Sequence, residues 1–370
     1  MYHIPLIKPY IPSAAKEKVC EVLDSGYLTE GPVTAELETL AAQYLGCKHV
    51  FAVPNCTVGL ETALRAIGIG PGDEVIVPDY TYPATADAVA IVGAVPVIVD
   101  VDPKTMLIDC DALEKAVTPR TKCLMPVSEF GNPLDYGRLN EIKSKYGLKI
   151  VEDAACALGS EYRGTKTGAL ADVSVFSMHP RKFITSGEGG LITTSDPEIA
   201  GFVMSYKHFG MKTENGRLKL EFERIGTNYK LSNILAAVAL EQFRMADVLL
   251  AERQRLAARY RRKLLPYPEL QLPEVTCGGT HSYQTFSILM DHRDEVMVKL
   301  RAMGIEVQFG AYAIHEQKAF QQSFVKLCGP FDGSSSAARR NLALPLFYGM
   351  TEQEQDIVVA ELLKACNMLN

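Results

Sequence analysis

The sequence predicts an α/β protein built on a largely parallel sheet and followed by a smaller α+β unit. Two observations carry this expectation. From about Lys48 to Asp153, short apolar runs alternate with amphipathic segments of helix length, and after Asp153 that alternation stops. The runs "HVFAVP", "DEVIVP", "VPVIVDVD", "CLMPVS" and "LKIVED" are rich in β-branched residues and bounded by polar residues or proline, as strands buried on both faces are. Between them, "TVGLETALRAIG" sets Leu60, Leu64 and Ile67 on one helical face, and "YGRLNEIKSKYG" sets Leu139 and Ile142 three apart before Gly147 stops the helix. Repeated β–α–β units of this kind present ligands at the carboxyl ends of their strands.

"DVSVFSM" and "GGLITTS" read as two further strands. No helix-length segment separates them, so they are expected to run antiparallel. A long helical segment from roughly Leu231 to Leu265, ended by Pro266, carries the chain out of a first domain taken as residues 1–248. In the second, 249–370, "SYQTFSILM", "RDEVMVKLRAMG", "IEVQFG" and "TEQEQDIVVAELLKACN" read as strand, helix, strand and terminal helix.

Composition excludes several classes. Hydrophobic residues at 47% and charged residues at 22% are ordinary for a globular protein of 370 residues, and disorder is not expected. The net charge of −6 is spread along the chain, which leaves no footprint for nucleic acid. The densest basic run, "RQRLAARYRRK" from Arg253 to Lys263, has helical spacing and reads as a solvated helix face rather than an anion-binding patch. Nine cysteines without a CxxC pair or a histidine partner at metal spacing point to a reducing, cytoplasmic setting and to no metal. The start "MYHIPLIKPYIPSAAKE" has no secretory pattern, and the longest apolar stretch, "AVAIVGAVPVIV", is too short and too interrupted to span a bilayer.

The chemistry centres on "FSMHPRKFITSGEGG", where Lys182 lies between an apolar run and a glycine-rich turn. A solitary loop lysine is by default a solvated charge. Asp153, at the carboxyl end of "LKIVED", is by default a cap for the next segment. Together they suit a different purpose. A lysine that forms a Schiff base needs a loop position and an electron-accepting partner, and pyridoxal phosphate is such a partner if a carboxylate keeps its ring nitrogen protonated. "PNCTVGLETAL" opens a helix after a strand, so the amides of Thr57 and Val58 and the Thr57 hydroxyl are placed for an anion; simple capping by Asn55 or Thr57 reads equally well there. Ser177 offers another hydroxyl, and Tyr82 in "PDYTYPATADA" a flat ring for either stacking or core packing. "GIGPGD" follows a helix and precedes a strand, the reverse of a dinucleotide-binding turn.

In combination, "SGYLTEGP", "GIGPGDEVIVPDYTYPATADAV", "VEDAACALGSEYRGTKTG", "FSMHPRKFITSGEGG", "GTNYKLSNILAAVALEQF" and "LPLFYGMTEQE" resemble the DegT/DnrJ/EryC1/StrS family of sugar aminotransferases over nearly the whole chain. The resemblance implies the fold-type-I architecture of pyridoxal phosphate enzymes, with a mostly parallel seven-stranded sheet between helices. It makes Lys182 the lysine of the internal aldimine and Asp153 the partner of the pyridine nitrogen. Tyr82 then stacks on the ring, and Thr57, Val58 and Ser177 hold the phosphate. Asn228, in "GTNYKLS", reaches the cofactor of a neighbouring subunit, so a homodimer is implied. The implied reaction moves an amino group from L-glutamate or glutamine to a nucleotide-linked 3- or 4-keto sugar, as in amino-sugar biosynthesis for cell-surface polysaccharide.

Two departures stand out. Cys156 occupies the position where many relatives carry Gln or His, beside the cofactor's ring oxygen, and "NCT" from Asn55 to Thr57 replaces the more usual "SGT". Three other readings stay open: a keto-inositol or other non-nucleotide acceptor, a sugar dehydratase, and a non-catalytic sugar-binding or regulatory protein. The dehydratases of this family replace the lysine by histidine, and here the lysine is present. Tyr27, His179, Arg181, Lys230, Tyr312 and His315 are candidates for acceptor recognition, and each reads as well as packing or a solvent contact.

Overall fold

The computed structural model describes residues 2–214 and 217–368. Its centre is one sheet made of β1 (His49–Val53), β2 (Glu74–Pro78), β3 (Val95–Val99), β4 (Thr121–Leu124), β5 (Lys149–Asp153), β6 (Val173–Ser177), β7 (Gly190–Thr194) and β8 (Lys326–Cys328). The spatial order is β1-β7-β6-β5-β4-β2-β3-β8. β7 pairs antiparallel with both neighbours, and every other pairing in the sheet is parallel. The antiparallel β6–β7 pair was expected, because the intervening loop is too short for a crossover helix. β1 was expected inside the β–α–β series, yet it lies at the far edge and pairs only with β7.

Both faces of the sheet are covered, which explains its continuous apolar strands. On one face Val75, Val77, Val151 and Val175 pack against Leu60 and Leu64 of α1 (Cys56–Ala66). On the other, Ile76, Val97, Leu124 and Ile150 pack against Leu139 and Ile142 of α2 (Tyr136–Tyr146). Seven of the strands come from residues 49–194. The eighth, β8, arrives from the C-terminal part and pairs in parallel with β3.

The long helix expected from Leu231 to Leu265 is two helices, α3 (Asn233–Phe243) and α4 (Ala246–Leu264). At the break the Met245 N–H turns to the Gln242 carbonyl, three residues back. Gln242 is fully buried and donates its amide to the carbonyls of Val238 and Thr185, so this helix end is tied to the loop that carries Lys182. The basic run on α4 also differs from expectation. Arg253 is buried and donates to the carbonyls of Tyr283, Gln284 and Leu346, while Arg259 and Lys263 pair with Asp356.

The C-terminal core gathers Leu256, Tyr260, Phe286, Ile288, Leu342 and Leu362, and Ile4 from the other end of the chain joins it. "SYQTFSILM" forms the strand Phe286–Leu289, whose partner is Asn341–Leu344. "IEVQFG" forms no continuous strand; it makes isolated bridges from Ile305 to Ile4 and from Gln308 to Ala343. Its ladder is broken because the Arg301 side chain takes the Val307 carbonyl and the Glu306 carboxyl accepts from the Leu6 N–H. Among the described residues no helix is long and apolar enough to cross a membrane.

Candidate active site

The site lies where a parallel sheet places it, at the carboxyl ends of β4, β5 and β6 and the N-terminus of α1. Lys182 sits in the loop between β6 and β7. Two buried glutamines clamp the backbone around it. Gln242 of α3 accepts from the Thr185 N–H, and Gln284 accepts from the Phe183 N–H while donating to the Arg181 carbonyl. Fixed in this way, the half-buried Lys182 amine donates to Cys156 Sγ at 3.1 Å.

Burial works against a charge on Lys182, but Cys156, Cys56 and Glu129 pull the other way and hold the ammonium above its ordinary pKa. Burial also pushes both thiols up, so at neutral pH they are protonated and uncharged. Of the three, Glu129 is therefore the neighbour whose charge develops as the pH passes neutrality.

Asp153 ends β5 and is 5% exposed. Its carboxyl accepts from Thr85 Oγ1 at 2.7 Å and from the Ala155 N–H at 3.1 Å. Thr85 is oriented in turn by a 3.0 Å hydrogen bond with Thr81. Burial raises the Asp153 pKa despite these donors. Two bonds leave a carboxylate with spare acceptor capacity, and a cationic N–H facing it would relieve the cost of its burial.

At the start of α1 both readings of "NCT" hold at once. Asn55 caps the helix by accepting from the Val58 N–H at 3.0 Å, which removes Val58 from the open amides. The Thr57 N–H and hydroxyl have no partner among the described residues, so the anion-binding end of the helix rests on Thr57. Gly190 passes so close that a Cβ there would lie 2.9 Å from the Cys56 nitrogen, and only glycine lets β7 meet this turn. Ser177, at the end of β6, accepts from the His179 N–H at 3.3 Å.

Tyr82 is not in the core: it is 67% exposed and meets Tyr312 edge to face at 6.1 Å. Asn228 is exposed and accepts from Lys230. In the chain just before it, Leu220 is 91% and Ile225 94% exposed. Tyr27 is exposed as well, and its carbonyl accepts from Asn233. Burial lowers the His179 pKa, and its ring accepts from the Arg181 N–H, while the exposed Arg181 reaches Gln308. His315 is held by the buried Asp79 at 2.6 Å and stacks on Phe331.

Sequence reasoning missed Thr85, Glu129, Gln242 and Gln284. Glu129 had a readable signal, a carboxylate just past the carboxyl end of a parallel strand. Thr85 and the glutamines had none, because their role depends on elements that meet only in the fold.

The family model described as the DegT/DnrJ/EryC1/StrS aminotransferase family matches residues 9–363. GDP-perosamine synthase of Caulobacter vibrioides is 36% identical over 372 residues, spanning 97% of this chain and 97% of that protein. DesV of S. venezuelae, solved in complex with a ketimine intermediate, has a TM-score of 0.92 at 32% identity, with 100% of each chain covered. Spr1654 of Streptococcus pneumoniae, solved in a PLP form, has a TM-score of 0.91 at 26% identity, again with 100% of each chain covered.

Proposed function

Because this chain belongs to the DegT/DnrJ/EryC1/StrS aminotransferase family, we propose that Lys182 and Asp153 are its catalytic residues and that it draws its amino group from L-glutamate. It is a sugar aminotransferase, and its acceptor is a nucleotide-linked keto sugar. Amination at carbon 3 or 4 is the finer reading. The observation that carries the assignment is the pairing of an under-satisfied buried carboxyl, Asp153, with a half-buried lysine whose one side-chain partner among the described residues is a thiol.

The residues present fit pyridoxal phosphate. A helix N-terminus with an unpaired Thr57 N–H and hydroxyl suits a phosphate, and Ser177 adds a second hydroxyl beside it. The Val58 N–H donates to Asn55, and its side chain packs against the core, so Thr57 carries the anion-binding amide of this turn. Asp153 would face the ring nitrogen, Tyr82 would cover the ring, and Cys156 would lie beside it next to Lys182. When bound, the cofactor supplies an aldehyde that bonds amines and a ring that withdraws electrons from the adjoining carbon.

Lys182 would hold the cofactor through Nζ. Freed by a donor amine, the same Nζ would take the proton from the donor's α-carbon and pass it to the carbon that carried the cofactor's aldehyde, so the proton is moved and none is lost. Asp153, kept anionic by a positive partner, would hold the ring nitrogen's proton in place. Gln242 and Gln284 keep the Lys182 backbone from shifting as the side chain moves.

The dimer follows from a different surface. Asn228 bridges His208 next to exposed Phe209, and the neighbouring chain carries exposed Leu220, Phe222 and Ile225, apolar side chains of the kind that a subunit interface covers. A second copy would bring Asn228 to its partner's cofactor.

The test is the visible absorption of the purified chain with pyridoxal phosphate, before and after L-glutamate, beside Lys182→Ala. A cofactor band that forms and bleaches with glutamate in the wild type alone is the expected result. Identical spectra for the two chains would sink the assignment.

A further inference from the structure

Glu129 is a buried carboxyl beside the site that the transamination chemistry leaves unused and that no side chain among the described residues satisfies. It sits just beyond β4, in the turn Glu129–Gly131, and is 7% exposed. Among the described residues no side chain donates to its carboxyl; the Phe130 N–H next along the chain is the one donor that bears on it. A buried carboxyl so poorly satisfied is costly, and such groups concentrate at functional sites.

The turn is built to hold it still. Phe130 has φ 56°, a left-handed conformation that a bulky residue adopts only when its surroundings impose it. Those surroundings are the two elements that carry the catalytic pair. On the Asp153 side, Val127 bridges Asp153 and the Ser128 N–H donates to the Asp153 carbonyl. On the Lys182 side, Thr285 and Ser282 donate to the carbonyls of Phe130 and Gly131, and Gln284 between them clamps the Lys182 loop. Gly131 leaves no slack, since a Cβ there would lie 2.2 Å from Ser282 Oγ. Glu129 is thus braced against both partners at once.

We propose that Glu129 is a positioning residue for the reaction, whose carboxylate holds the proton on Lys182 and on the nitrogen that Lys182 gives to the cofactor. The inference rests on the reading of Lys182 as the cofactor lysine. The groups facing Glu129 are Lys182, Asp153 and Cys156, Tyr80 from the segment after β2, and Arg261, His281 and Tyr283 across a small cavity. Burial holds Cys156 and Tyr80 protonated and pulls His281 down to about 3, so none of these three carries charge near neutrality. Burial raises Glu129 itself to about 7, with Lys182 opposing the rise and Asp153 adding to it. Its charge therefore appears as the pH passes neutrality and favours the protonated nitrogen above that point.

The experiment is a pH titration of the visible band of the loaded, full-length protein, for the wild type, Glu129→Gln and Glu129→Asp. The expected result is that Glu129→Gln lowers the midpoint by about one pH unit, a tenfold loss of proton affinity. Glu129→Asp keeps the charge but withdraws it on a shorter arm, so it should lower the midpoint by a smaller, measurable fraction of that shift. Should Glu129→Gln not fold, this smaller downward shift in Glu129→Asp remains the test. A midpoint unchanged in every folded variant overturns the proposal. A band missing from the wild type would instead remove the Lys182 reading, and the inference with it.

Discussion

On one side of β5 the carboxyl of Glu152 is fully sealed: Ser128, Tyr136 and Ser174 donate to it at 2.5, 2.6 and 2.7 Å. On the other side, one residue along the same strand, Asp153 accepts two bonds and keeps acceptor capacity in reserve. Both carboxyls are buried, and burial raises the pKa of both. The strand's alternation points one at a closed polar network and the other at the Lys182 loop. Burial alone therefore does not separate structure from function; the state of hydrogen-bond satisfaction does. The same criterion sets Glu129 with Asp153 rather than with Glu152.

The comparison can be broken most directly at its reactive end. Lys182→Ala should reduce transamination by roughly 10³-fold or more while leaving the melting temperature close to wild type, as single-turnover kinetics and calorimetry would show. Asp153→Asn should cost roughly 10²-fold in kcat, because a neutral amide does not hold a proton on a ring nitrogen, and should leave stability level or slightly higher. Glu152→Gln should do the reverse. Its amide nitrogen sets a donor against the hydroxyl or hydroxyls on one of the two oxygens, so denaturant unfolding should show a loss of about 2 kcal/mol, with activity per folded molecule retained. If Asp153→Asn proved the more destabilising of the two, the division between the faces would be wrong.

A finer test uses pH. The folded pKa of Glu129 lies above its ordinary 4.5, at about 7, so the folded state binds its proton more tightly than the unfolded state does. Its contribution to stability is present below the ordinary value and is lost as pH rises towards 7. Glu129→Gln should therefore gain on the wild type across that window, by up to about 3 kcal/mol, in unfolding curves measured at both ends. The smallest effect is expected at the helix end. Thr57→Val should weaken cofactor retention roughly tenfold by dialysis, since it removes one hydroxyl donor and leaves the backbone N–H.

Much of the frame was legible because it is written locally. "LKIVED" and "GGLITTS" carry their own strand pattern, and "FSMHPRKFITSGEGG" shows its lysine without any knowledge of distant residues. Misreadings arose where a second segment decides. The Leu231–Leu265 segment breaks where the Met245 N–H turns back to the Gln242 carbonyl while the Gln242 side chain is tied to Thr185, and Arg253 is buried where three carbonyls from elsewhere in the chain converge on it. Val58 reads as an open amide in the sequence, and the Asn55 side chain fills it in the fold.

The sequence by itself determined the alternating parallel sheet, the antiparallel β6–β7 pair, and Lys182 and Asp153 as the residues of interest. Periodicity and short motifs encode these, and they act over a few residues of chain. The tertiary structure decided that β8 joins the sheet from the C-terminal part, that Thr85 orients Asp153, that Cys156 touches Lys182, and that Glu129 is braced between the elements that carry Asp153 and Lys182. Those facts depend on which distant groups close around each other, and on how much water that closure removes. Burial and charge are properties of the assembled site, and no local pattern carries them.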